Sequence, residues 1–236
     1  MVGVEAGARS AASQRGGRCG RVMSGVCIRL YGEDDFAKRP AHTEPELLRS
    51  SLAGVILRMK SLHLGEVEEF PFLDKPLPRM ITDGYQLLEE LGAVDAERGL
   101  TQSGRELAKL PLDPRIGRMI LAARDGHCLR AMLIIAAALS VQDPRERPFE
   151  KAEAADRAHA QFADDKSDFM GYLKLWTFFA ESIQHKKSNR KLAQELAGQF
   201  LSQRRLREWR DIHSQLAALV AELGMHANET PATPEQ

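Results

Sequence analysis

The sequence predicts a mainly α-helical protein with one short strand near its beginning. Two observations favour this class: apolar residues recur at helical spacing over most of the 236 residues, and residues that commonly start helices precede these stretches. The run VCIRLY at 26–31 differs, because it lies between Gly25 and Gly32 and has the composition of a short buried strand. We therefore expect a mainly helical chain in which this segment is a short strand.

The segment before the predicted strand is QRGGRCGR, residues 14–21. On a helical turn, Arg18 and Arg21 stand three residues apart and share one face, and Gln14 lies one turn earlier on that face. A guanidinium is a planar fork of donors that matches phosphate oxygens and stays charged. The pattern predicts a grip for the terminal phosphate of a nucleotide. The alternative is a glycine-rich basic turn that binds nothing in particular.

Residues 43–112 have the order of a winged-helix domain. A capping box with a proline at 43–46 predicts a helix that runs to about Leu62. A second helix is expected over Arg79–Leu91, ended by Gly92, and a third over 102–109 after the capping residue Thr101. A hairpin-like segment at 93–100 lies between these two helices.

From Asp113 onward the pattern is helical. Asp113 caps a helix that begins with Pro114 and ends at Gly126. Further helices are predicted at about 128–141, 150–162, 167–185, 189–201 and 203–224, packed as a bundle. Its buried centre is predicted to be a stripe on one helix: Ala131, Ile134, Ile135, Ala138 and Leu139. The tail from His226 is polar and is expected to be frayed.

Composition limits the kinds of site. The formal net charge is zero, so binding to nucleic acid requires local patches rather than a global field. Three cysteines without CxxC spacing predict a reducing compartment, the cytoplasm, and neither the cysteines nor the scattered histidines have the spacing of metal ligands. The longest apolar run, 131–139, is far shorter than the ~20 residues of a membrane helix, so we expect no membrane association and no metal site.

Two basic segments are candidates for nucleic-acid contact. Residues 186–210 contain eight basic and two acidic residues, which suits a phosphate backbone or, equally, a solvated pair of helix faces. The candidate contacts in the first half of this segment are Lys186, Lys187 and Arg190. Arg145 lies in the proline-bounded loop SVQDPRERP, where pairing with a local acid is favoured over RNA contact. Trp176 and Trp209 are predicted to pack in the core rather than stack on bases.

The motif at 14–21 fits the pattern QRxGRxGR and resembles motif VI of the superfamily 2 helicases. The continuation GVCIRLY is similar to the DEAH-box branch. Several later strings follow in the order expected of DEAH-box ATP-dependent RNA helicases of the bacterial HrpA type: HTEPELLRSSLAGVILRMKSLHLG, ITDGYQLLEELGAV, LTQSGRELAKLPLDPRIGRM, ALSVQDPRERP, SDFMGYLKLW and RLREWRDIHSQL. The resemblance covers roughly residues 10 to 224.

The resemblance implies a mainly α fold in four parts. Residues 1–42 are the end of the second RecA-like α/β domain, a remnant that carries motif VI, and 43–112 are the winged helix. Residues 113–225 are the helicase-associated helical ratchet bundle, and 226–236 are a flexible tail. The chain is thus expected to begin inside a domain and to lack the first RecA-like domain and the OB-fold domain of the complete helicase.

The implied activity is RNA unwinding or translocation driven by ATP with Mg²⁺, with DNA as an alternative substrate. In the family, Gln14, Arg18 and Arg21 would face the terminal phosphate of ATP, the two arginines as arginine fingers and Gln14 orienting the phosphate or the attacking water. The sequence contains neither a GxxxxGK[ST] loop nor a DEAH tetrapeptide, so we expect no ATP turnover by the chain alone. Two alternatives stay open: a non-catalytic module that binds RNA or a partner, and a truncated gene product without independent activity.

Overall fold

A computed structural model describes residues 7–20, 23–43, 51–185 and 188–228 of the chain. In chain order the helices are α1 (Arg9–Gly16), α2 (Glu33–Lys38), α3 (Ala53–Ser61), α4 (Pro78–Glu90), α5 (Gln102–Leu107), α6 (Pro114–Asp125), α7 (Leu129–Leu139), α8 (Ala152–His159), α9 (Asp168–Gln184), α10 (Asn189–Gly198) and α11 (Gln203–Glu222). Two short 3₁₀ turns, Phe149–Lys151 and Ala160–Phe162, flank α8. The predicted mainly α class is confirmed.

Helices α3, α4 and α5 pack together in the order predicted for the winged helix. Between α4 and α5 the chain forms a narrow hairpin closed by an antiparallel bridge between Val94 and Leu100. Thr101 caps α5 as predicted, because its Oγ1 accepts a hydrogen bond of 3.0 Å from the Gly104 nitrogen. Gly104 permits the close approach of α5 to the hairpin, since a Cβ there would lie 2.0 Å from the carbonyl oxygen of Ala93.

Helices α6 to α11 form the predicted bundle, with α7 packed between α6, α9 and α11. Asp113 caps α6 as predicted. Trp209 of α11 has no exposed surface, and its Nε1 donates a 2.9 Å hydrogen bond to the Ile134 carbonyl of α7. Trp176 packs against Trp209 with 5.2 Å between ring centroids, so the predicted core role of both tryptophans is confirmed.

The predicted stripe on α7 is only partly correct. Leu139 is 40% exposed, whereas Leu133, Ala136 and Ala137 are buried although they lie off the stripe. The helix is covered on several sides, so burial does not follow one face. These residues belong to a continuous core that extends from Leu52, just before α3, to Met225 after α11.

The prediction of a strand at 26–31 is wrong. The segment has no regular secondary structure, and Val26, Ile28 and Leu30 are 85%, 80% and 96% exposed. None of the backbone N–H groups of 26–30 donates a hydrogen bond to another described residue. A strand needs a neighbouring strand for its backbone groups, and the described residues supply none.

Two predicted boundaries also differ. The start of the first winged-helix helix at 43–46 falls largely outside the described residues, and the helix observed there begins at Ala53, with Ser51 and Leu52 not yet helical. The tail was expected to fray from His226, but Asn228 is held by a 2.9 Å hydrogen bond from the Arg130 nitrogen to its side chain. Residues 229–236 lie outside the described part of the chain.

Candidate functional site

The motif at 14–21 lies at the end of α1 and in the turn that follows. Gln14 is on the last turn of the helix, whereas Arg18 lies in the turn over 17–20, where its nitrogen donates to the Arg15 carbonyl at 3.1 Å. The predicted placement of these residues on one face of a regular helix is therefore wrong at Arg18. Arg21 lies outside the described residues.

Glycine explains why the helix stops inside the motif. Two consecutive glycines, Gly16 and Gly17, fall at its end, where glycine costs about 1 kcal/mol per residue relative to alanine in a helix interior. Gly20 then has φ of +102°, a conformation that L side chains rarely adopt. The turn therefore lifts Arg18 off the helix and directs the chain back towards residues 23–31.

Gln14 and Arg18 both point to solvent. Both side chains are exposed, and neither makes a hydrogen bond or ion pair with another described residue. An exposed amide and an exposed guanidinium within five residues offer several donors to phosphate oxygens. They offer no carboxylate to Mg²⁺, which prefers oxygen ligands, so the described motif suits the phosphate part of ATP·Mg²⁺ and not the metal.

A set of contacts that sequence reasoning missed holds α1 in place. The nitrogens of Arg9 and Ser10 each donate a 2.9 Å hydrogen bond to the carbonyls of residues 40 and 41. Arg39 pairs with Asp35 of α2 and stacks on Tyr31, with 3.9 Å from its guanidinium carbon to the ring centroid. In the sequence, these contacts were indicated only by the mixture of aromatic and basic residues over 29–39.

Within 26–31, Arg29 and Tyr31 contact α2, and of the six residues only Tyr31 is partly buried. Tyr31 stacks on Phe36 of α2 at 6.2 Å between centroids, and the Arg29 guanidinium lies 4.3 Å from the centre of the Phe36 ring. The alternate side chains, Val26 and Ile28 among them, face solvent. Every hydrogen bond that joins a described residue of 7–43 to another described residue has both partners within that range. This N-terminal unit is thus tied together by polar and aromatic contacts, and a row of aliphatic side chains stays uncovered.

The second candidate site is the basic surface of α10 and α11. Arg190 and Lys191 are exposed at the start of α10, where Ser188 caps the helix with a hydrogen bond of 3.2 Å from the Lys191 nitrogen. Arg204 and Arg207 are exposed on α11 and line one shallow groove. None of these four side chains is paired with a carboxylate among the described residues. Lys186 and Lys187 lie outside them.

Two other arginines of the predicted patch have partners. Arg205 donates to the Asp143 carbonyl at 3.0 Å, and Arg210 lies 3.8 Å from Asp211. A carbonyl oxygen does not neutralise Arg205, so among the described arginines of the patch Arg210 alone is paired with a carboxylate, and the other charges lie at the starts of α10 and α11.

Arg145 is engaged by Asp143. Its Nε and Nη2 donate to the two carboxylate oxygens at 3.0 and 2.6 Å, a bidentate pair. Burial by itself raises the pKa of Asp143, but the hydrogen bonds from Arg145 outweigh it, so that pKa lies below its usual value. Arg147 likewise pairs with Asp156 at 2.7 Å. The favoured interpretation of this loop, local pairing of its charges, is confirmed, and direct RNA contact by Arg145 stays a prediction.

Backbone hydrogen bonds on both sides of Arg145 join its loop to a second loop. The Glu146 nitrogen donates to the Phe200 carbonyl and the Ser202 nitrogen donates to the Pro144 carbonyl, each at 2.8 Å. We call this contact between the 142–148 loop and the 199–202 turn the loop joint. It connects the end of α7 to the start of α11.

The described residues offer neither a metal-binding cluster nor a membrane-spanning helix. Within residues 7–20, 23–43, 51–185 and 188–228, no three His, Cys, Asp or Glu side chains lie close enough to hold a metal ion. None of the helices in these ranges has both the length and the apolar character needed to cross a bilayer.

Comparison with known proteins identifies relatives over almost the whole chain. Residues 113–172 match the family model of the helicase associated domain (HA2), ratchet-like. The chain is 47% identical over 97% of its length to the ATP-dependent RNA helicase HrpA of Escherichia coli, and 47% identical over 99% of its length to the HrpA homolog of Haemophilus influenzae. It is 33% identical over 96% of its length to the human probable ATP-dependent RNA helicase DHX35. The chain spans 18% of the two bacterial relatives and 31% of the human one.

Proposed function

Because this chain belongs to the ATP-dependent RNA helicases of the HrpA type, we propose that it completes the ATP site of such an enzyme and handles its RNA. The observation that carries the proposal is the exposed pair Gln14 and Arg18, unpartnered among the described residues, in a chain that aligns with HrpA over nearly all its length. The activity belongs to the complete helicase, of which this chain is a part.

In this proposal the motif acts on the terminal phosphate. ATP bound with Mg²⁺ on another RecA-like domain supplies the phosphoryl group that is transferred to water. Arg18, together with Arg21, donates to the phosphate oxygens as negative charge develops on them, and Gln14 orients the phosphate or the attacking water. Such arginine fingers contribute ~10³ to 10⁵ in rate. The exposure of Arg18 supports this role, because a finger must reach across a cleft.

The aliphatic row of the N-terminal unit supports the predicted domain organisation. Val26, Ile28 and Leu30 alternate along the chain and face solvent, as in a strand whose covering layer and neighbours lie elsewhere. We propose that another part of the complete helicase covers this row. That contact would also fix α1 and the motif relative to the ATP site.

The basic surface of α10 and α11 is the proposed RNA contact of the chain. Arg190 and Lys191, with Arg204 and Arg207, form no ion pair with a described carboxylate, although Glu208 and Asp211 line the same groove as the two arginines of α11. Phosphate contacts of this kind release counterions, so affinity falls as salt rises. Lys186 and Lys187 belong to the same proposal on their sequence alone. The cytoplasmic location predicted from the cysteines stays a prediction.

ATP hydrolysis tests the motif. In a chimera that carries this chain in place of the matching part of the E. coli relative, Arg18→Ala should lower kcat for RNA-stimulated ATP hydrolysis by about 10³-fold or more, while KM for ATP changes little. Lys38→Ala is the matched control, since Lys38 is exposed on α2 in the same unit. A kcat that survives Arg18→Ala would contradict the proposal. So would ATP turnover by the isolated chain that depends on Arg18.

RNA binding tests the basic surface independently. In fluorescence anisotropy with labelled oligo(U) at low salt, the Arg204→Gln and Arg207→Gln double variant should bind several-fold more weakly, with a salt slope lower by about 1 to 2. The control is Lys151→Gln with Arg157→Gln, an equal charge change on exposed residues at α8. Equal losses in both double variants would mean that only net charge matters. Binding without any ATPase role would favour the alternative of a non-catalytic RNA-binding module.

A further inference from the structure

A groove of about 880 Å³ opens on the winged helix, away from both sites described above. Its walls are the end of α3, the turn after it, the tip of the hairpin and α5. Pockets that bind ligands commonly enclose about 300–1,000 Å³, so the groove has room for a few residues of a peptide chain. Its charged side chains decide what it accepts.

Part of that charge is already neutralised. Lys60 pairs with Glu66 at 3.2 Å, and the Tyr85 hydroxyl donates to the same carboxylate at 2.9 Å. These two hydrogen bonds, that of Tyr85 first, lower the pKa of Glu66. Arg98 at the hairpin tip pairs with Glu68 at 3.2 Å.

The second carboxylate of the groove is neutralised from behind. Glu106 pairs with Arg124 of α6 at 2.9 Å. Hydrogen bonds from Gln102 and then from Arg124 lower the pKa of Glu106, and the charge of Lys109 contributes less. Both carboxylates in the lining are therefore ionised and have cationic partners at neutral pH.

Three lining cations are held without a carboxylate partner among the described residues. Arg58 donates from Nη1 to the Ala108 carbonyl at 3.2 Å, and Arg105 donates from Nη1 to the Leu100 carbonyl at 2.8 Å. Carbonyl oxygens orient these guanidinium groups but leave their charge uncompensated. Lys109 is exposed and forms no ion pair with a described residue. The groove thus presents oriented, positively charged donors.

The other lining residues favour a peptide over RNA. The lining contains no Trp, Tyr or Phe, and its one aromatic ring is the imidazole of His63, whereas single-stranded RNA is held largely by stacking on several aromatic side chains. Leu62 lines the groove and is 54% exposed, and Leu64 beside it is 47% exposed. Phosphate backbones make no use of such apolar surface, but protein partners do. The two carboxylates can accept hydrogen bonds from peptide N–H groups, which a phosphate backbone lacks.

We propose that this groove is a docking site for an acidic peptide segment of a partner protein. Carboxylates of the segment would pair with Arg58 and Arg105, with Lys109 at the rim, and an apolar side chain would cover Leu62. Arginine recognises carboxylates by two parallel hydrogen bonds. Arg58 donates from Nη1 alone and retains donors for such a pair. The Nε and Nη2 of Arg105 each lie 3.4 Å from the Gln102 side-chain oxygen, a long contact that a peptide carboxylate would replace. The site is independent of the ATP and RNA contacts proposed above.

A peptide of fixed sequence tests the proposal on the whole chain. The probe is fluorescein-labelled GELEDLEEG, and its neutral counterpart is GQLQNLQQG, in which every acid becomes the matching amide. Anisotropy at low salt should show binding of the acidic peptide at least about tenfold tighter than the neutral one. Arg105→Gln with Lys109→Gln should weaken it by about tenfold, whereas Lys151→Gln with Arg157→Gln should leave it unchanged.

Additional measurements distinguish a folding defect, peptide binding and phosphate binding. Far-UV circular dichroism checks folding, and Lys109→Gln alone, at an exposed position, serves if the double variant does not fold. Equal affinity for the two peptides, or equal loss in both double variants, overturns the proposal. A groove variant that loses oligo(U) affinity while the acidic peptide does not bind would assign the groove to phosphate and also overturn it. Loss of oligo(U) affinity in the α11 variant alone concerns only the RNA proposal.

Discussion

The N-terminal unit and the helical part of this protein are stabilised in opposite ways. Residues 51–228, where described, share one continuous core from Leu52 to Met225. In residues 7–43 the contacts are cation–aromatic stacking, an ion pair and a few backbone hydrogen bonds, and the largest aliphatic side chains face solvent. The part that carries the proposed ATP contacts is therefore the part with the least buried apolar surface.

Because of this difference, we expect the sites on the helical core and the motif of the N-terminal unit to depend differently on the rest of the helicase. A groove or a basic helix surface built on the helical core keeps its geometry without further domains, because packing fixes its side chains. The motif at 14–21 stands on a small unit whose covering layer is not among the described residues. Phosphate chemistry should therefore need the complete enzyme, whereas peptide and RNA binding should be measurable with this chain.

The strongest test of the comparison removes one large side chain from each region. Trp209→Ala should lower the free energy of unfolding by about 3–5 kcal/mol, since the ring is fully buried and its N–H is bonded to the Ile134 carbonyl. Leu30→Ala should change it by less than about 0.5 kcal/mol, because Leu30 is 96% exposed. Urea denaturation followed by circular dichroism measures both. Similar losses in the two variants would show that the N-terminal unit shares the core after all.

A glycine substitution tests whether the helical part unfolds as one cooperative unit. Gly104→Ala places a Cβ 2.0 Å from the Ala93 carbonyl oxygen, which is held by a 3.1 Å hydrogen bond from the Thr101 nitrogen. The overpacking should cost about 1–3 kcal/mol. Gly198→Ala is the control, because its added Cβ meets nothing within 4 Å, and it should be neutral or stabilise by up to about 1 kcal/mol. If the continuous core folds cooperatively, Gly104→Ala lowers the urea midpoint of the whole helical part and not of helices α3 to α5 alone.

The smallest expected effect concerns the ion pair of the loop joint. Because the folded-state pKa of Asp143 is lowered by Arg145, the pair stabilises the fold above the unfolded pKa of about 3.9. That contribution disappears as the pH falls through the lower, folded-state pKa. Arg145→Gln should thus cost about 1 kcal/mol at pH 7, an amount reduced by partial solvent exposure.

Urea midpoints of wild type and variant, compared between pH 7 and pH 2, measure this loss. The two should converge at the acid end, and a difference that stays constant with pH would contradict the assignment. Arg147→Gln, which breaks an exposed pair with Asp156, should have the smaller effect at pH 7.

Local signals made most helix boundaries predictable. Thr101 and Asp113 cap helices as their sequence context indicates, and Pro114 begins α6. Such signals act over a few residues and do not depend on the rest of the fold. The core roles of Trp176 and Trp209 were predictable for the same reason, from apolar neighbours at helical spacing.

The predictions that were wrong, and the groove that was missed, depend on residues that are distant in the chain. The alternation of Val26, Ile28 and Leu30 is typical of a strand, but it does not state which neighbour completes the sheet. Burial of Leu133 reflects helices that reach α7 from several sides. The groove cations Arg58 and Arg105 lie 47 positions apart in the sequence, so no local pattern could bring them together. Long-range packing, and not local propensity, decides these features.

The loop joint limits where residues can be inserted into this chain or deleted from it. Two short connections, about sixty positions apart, are bonded backbone to backbone through residues 144, 146, 200 and 202. An inserted or deleted residue in either connection would shift its carbonyls and N–H groups out of register with the other. Loops normally tolerate such changes, but here a change in one would have to be matched in the other. Natural variation in length should accordingly accumulate elsewhere, in connections that bond only to themselves.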